Sequence, residues 1–142
     1  MDQQSYKAIL YQMKIVLNGT FDIVHVGHLR MLNYAYSLGQ YVLVCIDSDR
    51  RVKELKGADR PINTQEERKE LLESLRAVNE VKIFDTDQEL VAILKEYNAD
   101  IMVKGSDWQA GYLGQQHCKH TEWFNRIDGY STTEKIQHIA NR

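Results

Sequence analysis

The chain has 142 residues, 43% of them hydrophobic, and carries 18 Lys and Arg against 20 Asp and Glu for a formal net charge of −2. That size and apolar content suit a single domain with one core, and the charge balance excludes a global positive field that would gather nucleic acid or an anionic membrane. No long apolar run and no charged leader followed by an apolar stretch is present, so a cytoplasmic protein without a membrane span is expected, and any anionic ligand must be met by a local site.

In chain order, residues 1–12 read as an N-terminal extension and 13–142 as the folded domain. "KIVLNG" (14–19), "YVLVCI" (41–46), "VKIF" (81–84) and "DIMVKG" (100–105) are short, mostly β-branched apolar runs that end in turn or polar residues, the pattern of buried strands. Between the first two, Leu29, Leu32, Ala35 and Tyr36 recur at helical spacing before Gly39, which is expected just past the helix end. "TQEERKELLESLRAV" opens with Thr64 and Glu67 in capping-box spacing and sets Leu71, Leu72, Leu75 and Val78 on one predicted face. A helix over 87–96 follows the third strand, and a weaker fifth strand near "TEWFN" (121–125) precedes a last helix that begins at "STTEKI". Such alternation predicts an α/β fold, a doubly wound parallel sheet of five strands, and if their order is 3-2-1-4-5, strands one and four are neighbours at the point where the order reverses. Cys45 and Cys118 lack CxxC spacing and are read as reduced thiols rather than a disulfide framework or a zinc site.

In an open parallel sheet, ligands bind beyond the carboxyl ends of the strands where the strand order reverses. "GTFDIVHVGH", "KGSDW" and "RIDGYSTT" follow strands one, four and five and should surround one crevice. His25 and His28 allow three readings. As metal ligands they lack a third partner nearby; as structural residues one would cap a helix and the other pack; as an anion site both rings would donate to a phosphate at a helix N-terminus, with Gly27 admitting it closely.

"GTFDIVHVGHLRML" resembles the HxGH signature of the cytidylyltransferase-like nucleotidyltransferase superfamily, and "RIDGYSTTEKI" resembles its second signature. The two occur in the family's order, and the similarity runs from Ile15 to Ile136. The resemblance implies a Rossmann-like enzyme in which a phosphorylated sugar or polyol attacks a nucleoside triphosphate, pyrophosphate leaves, and a nucleoside-diphosphate-linked product forms. It implies that His25 and His28 contact the triphosphate, that the loop Gly19, Thr20 and Phe21 brings backbone N–H groups to it, and that Lys104, Gly105 and Asp107 hold base and ribose. Lys53 and Lys56 would reach the triphosphate or the acceptor phosphate, against the plain reading as solvated loop charges. Arg68 matches a family arginine and is assigned to the acceptor phosphate, with an exposed helical arginine as the alternative. Asp22 is expected to support the loop rather than approach magnesium, and Trp108 either covers the pocket or packs.

Ser131, Thr132 and Thr133 open a helix with Glu134 in capping-box spacing; the family also uses this N-terminus for phosphates, and Arg126 would add a charge-assisted contact. Magnesium is expected as a cofactor because it screens the triphosphate, and relatives imply a homodimer. No protein metal ligand is assigned. "RVKELKGADRPIN", "DIMVKGSDW" and Asn18 resemble the heptose 1-phosphate adenylyltransferases; Thr20 and Arg126 resemble the glycerol-3-phosphate cytidylyltransferases. The expectation is ATP with a sugar 1-phosphate, with CTP and glycerol 3-phosphate as alternative, and a nucleotide-binding module without turnover as the non-enzymatic rival.

Overall fold

The computed structural model describes residues 2–5, 13–106, 112–125 and 129–142. Five parallel strands, β1 (Lys14–Gly19), β2 (Tyr41–Asp47), β3 (Glu80–Phe84), β4 (Ile101–Gly105) and β5 (His120–Phe124), form one sheet in the order β3-β2-β1-β4-β5. Five α-helices follow the first strand, α1 (Val26–Gly39), α2 (Asp49–Lys56), α3 (Gln65–Glu73), α4 (Asp87–Tyr97) and α5 (Thr132–Ala140). Both faces of the sheet are covered, so the strand residues alternate between two cores rather than between core and water. Ile15, Leu17, Val42, Val44 and Ile46 pack with Leu32, Ala35 and Leu72 on one side. Val16, Leu43, Cys45 and Met102 pack with Leu90 and Leu94 on the other.

The expected strand order holds, and it makes β1 the central strand, with β2 on one side and β4 on the other. Because all strands run the same way, Gly19, Asp47, Gly105 and Phe124 end at one edge, where the crevice opens. Both cysteines are free thiols, and burial pushes the Cys45 thiol up to about 12, so it stays protonated and inert.

Three local expectations change. Gly39 is the last residue of α1 and Gln40 takes the left-handed cap position at φ 62°; the glycine is needed because a Cβ there would lie 2.7 Å from the Met13 carbonyl. The helix that opens at Thr64 stops at Glu73, so Leu71 turns outward while Leu75 and Val78 are placed by tight turns bonded to the carbonyls of Leu72 and Leu75. The stretch read as a basic loop is instead α2, capped by the Ser48 side chain, with Val52 as its one buried residue. Its single apolar anchor is too little periodicity to read from sequence. Residues 1 and 6–12 of the extension lie outside the described residues.

Candidate active site

The turn after β1 is shaped by two small contacts. Phe21 adopts a left-handed backbone conformation (φ 52°) and is buried, its ring folded over Gly19, where a Cβ would come within 3.1 Å of the ring. The same ring meets His28 at 5.0 Å between centroids. Thus Gly19 and Phe21 form the floor beneath the histidines, and Thr20 ties the turn to β2 through its hydroxyl, 3.4 Å from the Asp47 carboxylate.

His25 and His28 close a reciprocal cap at the start of α1. The Gly27 N–H donates to His25 Nδ1 at 3.1 Å, and the His25 N–H donates to His28 Nδ1 at 3.3 Å. A neutral imidazole that accepts at Nδ1 carries its proton on Nε2, so both rings are fixed as Nε2–H donors by the helix they cap. The rings stack at 3.9 Å between centroids. Burial, then His25 and then Lys56 lower the His28 pKa to about 4, so the ring is neutral at ordinary pH. The structural reading therefore holds in that the two rings cap the helix, and this cap leaves the anion-binding reading chemically open. Gly27 is required less by an incoming ligand than by the His25 ring, whose Cε1 would lie 2.9 Å from a Cβ, and by Tyr130, 3.2 Å away.

These residues open onto a cleft of about 380 Å³. His25, Gly27 and His28 line it, facing Lys104 and Gly105 from the end of β4 and Tyr130, Ser131, Thr132 and Thr133 from the start of α5. Ser131 caps α5, accepting from the Glu134 N–H at 3.1 Å, and the Thr132 hydroxyl is 3.5 Å from the Ile23 carbonyl, which docks α5 on the loop before α1. Lys104 donates to Asn18 Oδ1 at 3.3 Å and lies over the Tyr112 ring; burial lowers its pKa. Two helix N-termini and a desolvated ammonium at one cleft suit a polyanion.

The second wall departs from the sequence reading. Lys56 lines the cleft, and its pKa is lowered by burial and then by Arg60. Lys53, one turn earlier on α2, is exposed and not among the lining residues. Arg68 is fully buried behind the site: its guanidinium donates to the carbonyls of Thr20, Asp47 and Asn63 and to the Asp49 carboxylate, at 2.8–3.0 Å. It clamps the turns that follow β1 and β2 instead of reaching an acceptor phosphate. Asp22 is likewise a support, accepting from the N–H groups of Ile62 and Asn63 at 2.8 Å each. Asp107, Trp108 and Arg126 lie outside the described residues.

Asn18, Met31, Arg60, Val103, Phe124 and Tyr130 also line the cleft and were not singled out from the sequence as site residues, apart from the resemblance noted for Asn18. Arg60 beside the only proline and Tyr130 one residue before a helix cap had local turn signals, but neither signal speaks of chemistry.

The comparisons agree with this geometry. The described fold resembles the crystal structure of the lipopolysaccharide core biosynthesis protein from Thermoplasma volcanium GSS1, with a TM-score of 0.69, 22% identity, and coverage of 82% of this chain and 98% of that one. The sequence is 42% identical over 130 residues to the Bifunctional protein HldE of a Nitratiruptor species, covering 89% of this chain and 28% of that protein. It is 40% identical over 126 residues to the Bifunctional protein HldE of Campylobacter fetus subsp. fetus, covering 88% of this chain and 27% of that protein. The chain thus spans about a quarter of the length of these relatives. The profile of the family described as cytidylyltransferase-like matches residues 16–138, and with the capped histidine pair in place the chain belongs to this family of nucleotidyltransferases.

Proposed function

We propose that the cleft transfers a nucleoside monophosphate from a nucleoside triphosphate to a phosphorylated sugar or polyol, with release of pyrophosphate. The observation that carries this reading is the His25–His28 pair, each Nδ1 accepting a backbone N–H and the His28 ring held neutral by burial, at one helix N-terminus of a cleft that a second helix N-terminus also lines. A phosphate monoester is largely dianionic at neutral pH, so the acceptor needs no general base. Its oxygen attacks the α-phosphorus and the bond to the pyrophosphate oxygen breaks. The work left to the protein is positioning and charge stabilisation, which neutral N–H donors, Lys56, Lys104 and helix termini supply.

Magnesium belongs to this proposal as the counter-ion that the triphosphate carries. Among the described residues the cleft lining includes no carboxylate and there is no cluster of three or more His, Cys, Asp or Glu that could hold a metal, so none of these residues is assigned as a metal ligand. Turnover should require added magnesium, and full activity in excess chelator would refute the role.

For substrates, the reading is ATP with a sugar 1-phosphate, as in heptose 1-phosphate adenylyltransferases. The two segments with that resemblance both contribute to the lining of the cleft, one through Lys56 and Arg60 and the other through Lys104 and Gly105. The test is kcat/KM for ATP and CTP with each acceptor; a tenfold preference for CTP, about 1.4 kcal/mol, overturns the choice in favour of glycerol 3-phosphate and CTP. Equilibrium binding of nucleotide with no pyrophosphate release across acceptors would make the chain a binding module instead. The acting unit is taken to be a homodimer, which sedimentation would check. Among the described residues no helix is long and apolar enough to cross a membrane.

A further inference from the structure

The two side chains expected to receive the acceptor's phosphate are both elsewhere: Lys53 is off the cleft, and Arg68 is spent on three carbonyls and Asp49. The wall they leave is occupied by Arg60. Its side chain is mostly buried, it lines the cleft, and its Nε is a buried donor with no hydrogen-bond partner. Among the described residues its ion-pair partner is Asp22 at 3.5 Å, and both oxygens of that carboxylate already accept backbone N–H groups at 2.8 Å. A buried guanidinium with unmet donors is costly unless something else completes it. Lys56 stands on the same wall, near enough that Arg60 depresses its pKa. Two cations on one wall of a cleft, one with a buried donor left without a hydrogen-bond partner, form a ready receptor for a dianion.

Resting on the function proposed above, we infer that Arg60 is the side chain that binds the acceptor's phosphate monoester, with Lys56 as the second cation, while the histidine pair and the start of α5 hold the triphosphate. The guanidinium fork fixes two of the monoester oxygens and leaves the third to attack. Asp22 sets the fork's position through the segment it anchors.

The experiment separates the two subsites without turnover. The protein is saturated with the magnesium complex of α,β-methylene-ATP, and inorganic phosphate is titrated calorimetrically as the probe of the acceptor subsite, for the parent, Arg60→Met and Arg60→Lys. The expected result is that Arg60→Met keeps analogue affinity within twofold and weakens phosphate binding at least tenfold, with Arg60→Lys recovering only part of it. Unchanged phosphate affinity, loss of analogue affinity alone, or no phosphate uptake by the loaded parent overturns the inference. If Arg60→Met loses both ligands, Arg60→Lys decides: recovery of the analogue without phosphate supports the assignment, and any other pattern overturns it. Pyrophosphate release by the parent over a grid of nucleotides and acceptors is measured separately, so that failure of the proposed reaction is told apart from failure of this subsite.

Discussion

The His25 and His28 rings stack at 3.9 Å between centroids while each accepts a backbone N–H at Nδ1, so the histidine pair and the helix cap are one structure. Removing either ring therefore has two effects that can be measured apart. His28→Ala should lower kcat a hundredfold or more, about 3 kcal/mol, through the lost N–H donor, and lower stability by about 1 kcal/mol through the lost cap. Turnover within a few-fold of the parent would remove His28 from the chemistry.

The same residue makes a prediction about acid. His28 titrates at about 4 in the folded chain and near its ordinary 6.5 when unfolded. As the pH falls below about 6.5 the unfolded state takes the proton first, so this group erodes stability, by up to about 1.4 kcal/mol per pH unit, until the pH reaches about 4 and the loss stops. Urea midpoints at pH 7.5 and 4.5 should fall less for His28→Gln than for the parent. An equal fall in both would show that the ring does not titrate as described.

Gly27→Ala sets propensity against packing. Alanine is favoured over glycine within a helix by about 1 kcal/mol, yet its Cβ would sit 2.9 Å from His25 Cε1. Because the His25 ring must yield, we expect a melting temperature close to the parent's and a kcat reduced at least tenfold. A variant with parental kcat would show that the ring position is not critical.

Arg68→Met tests whether this arginine is scaffold or ligand. It should strip donors from three carbonyls and one carboxylate in the interior and cost about 3 kcal/mol or more in urea denaturation. Where folded protein is recovered, KM for the acceptor should stay within threefold of the parent. A large KM change with intact stability would return Arg68 to the acceptor.

What the sequence disclosed was the part written in periodicity and spacing. Four strands and the cap residues Thr64 and Ser131 follow from local patterns, and the structure has them. The HxGH spacing likewise marks the site because histidines three apart meet on one helical face. Lys53, Arg68 and Arg60 were illegible for a common reason: each is a basic residue on or beside a short helix, and only the packing decides which is exposed, which is buried, and which reaches the cleft. Asn18 and Phe124 enter the site from strand ends of ordinary composition, which carries no signal of where those ends converge.

Asp22 grips the segment before α3 by the backbone N–H groups of Ile62 and Asn63, and Asn63 answers through its side-chain amide to the Asp22 carbonyl at 3.0 Å. At Ile62 the fastening is thus indifferent to side-chain identity. Asp59 and the exposed Ile62 make no side-chain hydrogen bond among the described residues. Substitution along this rim costs the fold little while altering what stands beside Arg60. If Arg60 receives the acceptor as proposed, a lineage could drift from one phosphorylated acceptor to another by editing a few loop positions, with the histidine cap and sheet left untouched, and such divergence need not pass through an unstable intermediate.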